Sequence, residues 1–488
     1  MKYSLAVLLV SFVTLSDETS LPDHDPGLLP KEESVPASIQ ILKELNRAPP
    51  LPPTTMTSNV ETRWFPQWLD NFDNNNTGVW YNRVMINEAY FQDGSPIFIY
   101  LGGEWAIDES GINSGHWVDI AKEHNGSLLY TEHRFFGLSI PIRPLSTENL
   151  EKYQNVHQAL ADVRNIIRTL KQQDKYKDSK VVISGGSYSA TMVVWFRRLY
   201  PNDIVGGWAS SAPLVAKVDF QEFMKVVGDA YDQLGTPGCY DIIKNATSYY
   251  EDLFSAGKGA EAKERLNLCD NFDPDSEQDR WQIFSSIANI FAGIAQYQKA
   301  GDLWAYCSVL REFDEDDATA LSKFIQWRLH NPQCVSARYK STINYYKWSM
   351  DNYDGTGLAW TFQTCNEFGW YQSSGSSQQP FGSTFPATLY TDQCHDVFST
   401  NYTAVQIQAN VNQTNEEFGG LSPDVTNVYF TQGGLDPWHT VGAGVKQNAT
   451  IIPYASHCSD FGSISDSDSP EMRASKLRLA LLVRKWLA

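Results

Sequence analysis

The chain has 488 residues, enough for one large domain with an insertion or for two domains. Hydrophobic residues make up 42%, aromatic residues 13% and charged residues 19%, which can fill a sizeable core and excludes disorder as the default state. A formal net charge of -19 excludes a nucleic-acid footprint, supports solubility and suits an acidic compartment, where some carboxylates become protonated.

Residues 1–16 read as a signal peptide. Lys2 gives a positive start, Leu5 to Leu15 is almost wholly apolar, and Thr14-Leu15-Ser16 has the small residues of a cleavage site. No later stretch reaches the roughly 18 uninterrupted apolar residues of a membrane span. The expected product is secreted or lysosomal, with no stable membrane span. Residues 17–58 are rich in Pro, Ser, Asp and Glu, and include Pro49-Pro50-Leu51-Pro52-Pro53; they read as an extended leader or propeptide.

An α/β pattern occupies residues 59–215. Trp80 to Ile86 is strand-like and Asp93-Gly94 marks a turn. Pro96 to Leu101 and Ser127 to Thr131 read as strands buried on both faces. Leu150, Tyr153, Val156, Leu160, Val163, Ile167 and Leu170 recur every three or four residues, as on one face of a helix. The Val181-Val182-Ile183 strand and a helix over 191–200 follow. Alternating strands and helices predict a mostly parallel sheet covered on both faces. Residues 216–405 are aromatic, cysteine-rich and helical in pattern, as expected of an inserted cap. The sheet resumes in 406–488 with Val428 to Thr431 and Thr450 to Ile452, and Ser469-Pro470-Glu471 starts a last helix. No internal repeat is evident.

Seven cysteines (239, 269, 307, 334, 365, 394 and 458) contain no C-x-x-C pair, which points to disulfides with one thiol left over. Six N-x-S/T sequons, at Asn75, Asn125, Asn245, Asn401, Asn412 and Asn448, are candidate glycosylation sites.

Candidate chemistry centres on Ser187, in Gly185-Gly186-Ser187-Tyr188-Ser189 between a strand and a helix. This is the layout of a nucleophile elbow, with Ser189 where the pattern G-x-S-x-G has its last glycine. A serine hydroxyl needs a histidine to take its proton and a carboxylate to orient that histidine. Asp436, after the Val428 strand, and His457, after the Ile451 strand, supply both in the chain order of α/β-hydrolases. His439, so close to Asp436, reads as lining the same loop. Oxyanion donors are expected from the Tyr188 N–H and from Gly103 or Glu104, after the Pro96 strand.

Several segments resemble the lysosomal Pro-Xaa serine peptidases, the family of prolylcarboxypeptidase, dipeptidyl peptidase II and thymus-specific serine protease. The resemblance covers roughly residues 60–488. It rests on Trp64-Phe65-Pro66-Gln67, Asp70-Asn71-Phe72-Asp73, Gly102-Gly103-Glu104, Glu132-His133-Arg134-Phe135-Phe136-Gly137, Leu145 to Leu150, Gly185 to Tyr188, Leu435 to Trp438 and Ser456-His457. Cys365 to Trp370 and His457-Cys458 bring it nearest to the thymus-specific branch. It implies an α/β-hydrolase core with an inserted helical cap, the triad Ser187, Asp436 and His457, and a covered site that cuts near chain ends with proline before the scissile bond. It also implies the pairs Cys239–Cys307, Cys269–Cys334 and Cys365–Cys394. Trp105 stands where many members have glycine, which would shrink a pocket beside the oxyanion loop. Glu104, Trp105 and Trp438 are the candidate substrate-binding residues, and Glu104 is the candidate anchor for a free amine.

The expected function is a serine exopeptidase acting through an acyl-enzyme, with peptide substrates, no nucleic acid, no metal and no organic cofactor; a homodimer is left open. A carboxylesterase or lipase of the same fold would show a broad apolar face, not a charged anchor. An inactive secreted binding protein would fail to react with an active-site label. Attack from the amino or the carboxyl end of a peptide remains open at this level.

Overall fold

The computed structural model describes residues 35–50, 59–313, 316–353 and 357–488. The signal-peptide reading of residues 1–16 and, within the leader, residues 17–34 and 51–58 lie outside the described residues. Ten strands are formed among the described residues: β1 (Val60–Trp68), β2 (Val79–Asn87), β3 (Ile97–Leu101), β4 (Ser127–Thr131), β5 (Val181–Gly186), β6 (Gly206–Ser210), β7 (Lys217–Asp219), β8 (Gly369–Tyr371), β9 (Val428–Gly433) and β10 (Thr450–Ile452). Eight build one sheet in the order β1-β2-β4-β3-β5-β6-β9-β10, and β7 pairs with β8 apart from it. From β4 to β10 neighbours run parallel, whereas β1 and β2 pair antiparallel at one edge.

Strands β3, β4, β5 and β6 are buried from end to end. Their side chains divide by the two-residue period of a strand. Ile97, Ile99 and Leu101 join a core with Val163 and Ile167 of the Val156–Leu170 helix. Phe98 joins a second core, on the other face, with Trp117, Leu479 and Val483. Helices on both faces therefore sandwich the sheet, and the architecture is that of an α/β-hydrolase.

Between β6 and β9 the chain leaves the sheet to form the helices from Glu222–Leu234 to Ala404–Phe418. Disulfides join Cys239 to Cys307, Cys269 to Cys334 and Cys365 to Cys394, all within this helical layer. Each closes a long loop, which stabilises by about 2–4 kcal/mol. The boundary expected at 405 falls inside the Ala404–Phe418 helix, for which the Thr403 hydroxyl provides the N-cap by accepting from the Gln406 N–H. Only Ile407, Val411, Thr414 and Phe418 are buried along that helix, so its Asn/Gln-rich sequence conceals it. Phe418 stacks on Trp195 of the core at 4.1 Å.

The leader is not extended throughout. Ala37–Leu45 is a helix that buries Ala37, Ile39, Ile41 and Leu45. The Pro-rich surroundings suggested otherwise, but the helix draws its stability from packing onto the helical layer. All six sequon asparagines are exposed. No described helix is long and apolar enough to cross a membrane.

One buried ion pair ties the end of β4 to the sheet's flank. Arg134 is 1% exposed, and its Nε and Nη2 donate to the two Asp162 carboxylate oxygens at 2.7 and 2.8 Å. Nη1 donates to the carbonyls of Leu69 and Tyr153. Removing one member of such a pair leaves the other charged and buried, which costs about 3–5 kcal/mol. Arg134→Ala should lower the unfolding free energy by that amount in urea titration; a loss under about 1 kcal/mol, as for a surface pair, would contradict this reading.

Candidate active site

Ser187, Asp436 and His457 each stand just past the C-terminal end of a parallel strand, β5, β9 and β10 respectively, which is where such sheets gather their sites. Ser187 sits at φ 58°, a left-handed conformation rare outside glycine. The turn is over-determined. A Cβ on Gly185 would come 2.4 Å from the Ser189 carbonyl oxygen, so this position needs glycine. Ser189, in place of the usual glycine, donates from its hydroxyl to the Gly186 carbonyl at 2.8 Å and accepts from the Gly186 N–H at 3.0 Å. The substituted residue thus braces the elbow. Tyr188 opens the Tyr188–Leu199 helix, so its N–H has no acceptor within that helix.

Asp436 and His457 are fully buried. His457 Nδ1 lies 2.9 Å from both Asp436 carboxylate oxygens. A carboxylate only accepts, so Nδ1 carries the proton shared with Asp436. Among the described residues Nε2 has no hydrogen-bond partner, so no bond to the Ser187 hydroxyl is formed here. Burial alone would depress the imidazole pKa; the Asp436 carboxylate overrides that and holds it well above its ordinary value. Asp436 Oδ1 also accepts the Trp438 N–H at 2.9 Å. His439 is half-buried and turns its Nδ1 to the Asp436 carbonyl, on the same loop.

Three residues that the sequence did not single out hold the histidine loop. The Gln296 carbonyl accepts the His457 N–H at 2.9 Å. Its side-chain oxygen accepts the Trp438 indole N–H at 3.0 Å. The Gln298 carbonyl accepts the Ser456 hydroxyl at 2.8 Å, and the Tyr297 ring meets the His457 ring at 5.8 Å. The only signal was Gln296-Tyr297-Gln298 following the apolar run from Ile290 to Ala295 at the end of a helix. A second buried chain supports the elbow. His133 donates from Nδ1 to the Arg134 carbonyl, and burial pushes its pKa down to about 3. The neutral ring then accepts at Nε2 from the Tyr188 hydroxyl, 3.1 Å away. Gln363, from the helical layer, donates to the same phenol oxygen at 2.8 Å.

Ser187, Glu104 and Trp438 line one cavity of about 110 Å³ beneath the helical layer. Glu104 is 4% exposed and its Oε2 has no partner among the described residues. Burial pushes its carboxyl up to about 8, against the opposing pull of its own backbone N–H and of His457. Trp105 does not line this cavity. Its ring lies against Gly103, where a Cβ would approach it to 2.8 Å, and its indole N–H donates to the Tyr130 hydroxyl. The expected narrowing by Trp105 is therefore corrected: the indole turns inward and serves the core. Cys458 is unpaired and buried, and burial pushes its thiol up.

Residues 67–479 match the family Serine carboxypeptidase S28. The chain is 29% identical over 447 residues to the thymus-specific serine protease of Mus musculus, covering 87% of each chain. It is 25% identical over 460 residues to the lysosomal Pro-X carboxypeptidase of Bos taurus, covering 89% of each. With its match spanning nearly the whole described core and cap, the chain belongs to the serine carboxypeptidase S28 family and is a serine peptidase.

Proposed function

We propose that this peptidase releases dipeptides from the free amino end of peptides with proline at the second position. Ser187 is the nucleophile. His457 Nε2 takes the hydroxyl proton as Ser187 Oγ attacks the carbonyl, then delivers it to the leaving amine. Water repeats the cycle to free the acyl group. Asp436 holds the tautomer and stabilises the imidazolium. The N–H groups of Tyr188 and Gly103 are assigned to the oxyanion.

The observation that carries the direction of attack is the charge of the cavity wall. Glu104 is its one carboxyl group, and no Lys, Arg or His is among the described residues that line it. A buried peptide carboxylate would find no cation there, whereas a buried ammonium finds a carboxyl with a free oxygen. Proline at the scissile position fits the aromatic wall. Trp360, Trp370 and Trp438 line the same cavity, with Trp370 and Trp438 in edge contact at 5.7 Å. A proline ring buries apolar surface against them and brings no N–H to satisfy. The three disulfides and six exposed sequons support a secreted or lysosomal location.

A fluorophosphonate should label Ser187 covalently, and Ser187→Ala should abolish both labelling and turnover. Asp436→Asn should lower kcat roughly ten-thousand-fold with folding intact. Normal labelling of Ser187→Ala would refute the assignment.

The Glu104 carboxyl adds a pH signature. Its folded pKa is raised to about 8, so in the empty site it is neutral below that pH and ionised above it. Pairing with an ammonium needs the carboxylate, so binding below about pH 8 must expel a proton. KM for an Xaa-Pro amide should therefore climb as pH falls from 8, by up to about tenfold per unit. Glu104→Gln should raise KM and flatten this dependence, and acetylating the substrate amine should abolish cleavage. Equal cleavage of acetylated and free substrates would overturn the amine anchor while leaving Ser187 untouched.

A further inference from the structure

The cavity that holds Ser187 extends along one face of the Glu277–Gln296 helix, where Gln282, Ser285, Ser286, Asn289 and Gln296 line it. These positions fall at the three- and four-residue steps of a single helical face. The helix's other side chains, among them Ile283, Phe284, Ile287 and Phe291, belong to the core. Polar groups turned toward a protein's interior are costly unless they find partners there. At a rise of about 1.5 Å per residue, Asn289 stands about 10 Å along the axis from Gln296, which grips the His457 backbone.

Asn289 is held in one orientation by a chain of hydrogen bonds that starts from a group able only to accept. The Gln372 carbonyl accepts the Tyr390 hydroxyl at 3.2 Å. With its one proton committed there, the Tyr390 oxygen accepts from the Ser285 hydroxyl, 2.8 Å away. The Ser285 oxygen in turn accepts from Asn289 Nδ2 at 3.3 Å. Turning the amide over would set Asn289 Oδ1 against an oxygen with no proton left to give. Oδ1 is thus the free end of the chain, buried without a partner among the described residues, and it can only accept.

From this arrangement we infer that Asn289 selects the residue before proline, favouring a side chain that donates a neutral hydrogen bond, a carboxamide foremost. The inference rests on the amino-end reading of the site. Two extended residues span about 7 Å, so a carboxamide on the first residue covers the remaining distance to Asn289. A methionine there would leave Oδ1 buried and unpaired. A lysine or a glutamate would bury a charge with no opposite charge to meet it. Glu104 is the one charged group among the described lining residues, and the substrate amine occupies it. Beyond Ser285 the lining stays neutral: Gln393 Nε2 donates to Gln282 Oε1 at 3.2 Å.

The test is kcat/KM for freshly deprotected Xaa-Pro amides with glutamine, methionine, glutamate or lysine first. The glutamine substrate should exceed each of the others at least tenfold. Asn289→Leu should remove its advantage over methionine. Asn289→Asp, almost unchanged in size, should move the preference to lysine, which loss of a merely structural contact would not do. Fluorophosphonate labelling of Ser187 reports whether each variant is folded, and the Asp variant carries the test should the Leu variant fail. Equal rates for glutamine and methionine, or no gain for lysine in a labelled Asn289→Asp enzyme, would overturn the subsite alone. Hydrolysis of none of the four amides by an enzyme labelled at Ser187 would overturn the subsite together with the amino-end reading it rests on.

Discussion

Everything at this site depends on the two hydrogen bonds that one buried carboxylate accepts. Asp436 is wholly buried, yet the His457 Nδ1–H and the Trp438 backbone N–H both point at it. A bare carboxylate in that position would protonate or pull the loop open. Paired in this way, it holds the proton on Nδ1 and leaves Nε2 without a hydrogen-bond partner among the described residues. The histidine donor is available because β9 and β10 end side by side. That in turn requires Gly433, where a Cβ would stand 2.4 Å from the Ala455 carbonyl oxygen.

The helical layer therefore holds the candidate site in place and does not merely cover it. Gln296 grips the His457 backbone with its carbonyl and the Trp438 indole with its side chain. Gln363 reaches down to the Tyr188 phenol beside the elbow. The cavity that this layer covers has aromatic walls and a single carboxyl among the described lining residues.

The core was legible in the sequence for a simple reason. Strands covered on both faces must be apolar throughout, so β3 and β5 announce themselves as short unbroken runs between turn residues. The elbow around Ser187 and the loops of Asp436 and His457 were legible because each needs small residues at a strand end. What was not legible depends on partners far away in the chain. Gln296 and Gln298 look like ordinary polar residues until the helix that carries them is laid against the histidine loop. His133 belonged to a recognisable motif, but its role under Tyr188 is a contact across 55 positions. Trp105 was misjudged because its direction depends on Tyr130, which offers the hydroxyl that takes its indole N–H. The leader helix was hidden by prolines on both sides of a nine-residue stretch with no strong start signal.

The central claim is that Ser187 attacks two residues from a free amino end. Intact-mass measurement of the enzyme, acid-quenched during turnover of a ten-residue peptide with proline second, tests it most directly. The expected result is a covalent increment equal to that peptide's first two residues, mapped to the Ser187-bearing fragment and absent in His457→Ala. An increment equal to the peptide less its final residue would mean attack from the carboxyl end, and would contradict the role given to Glu104.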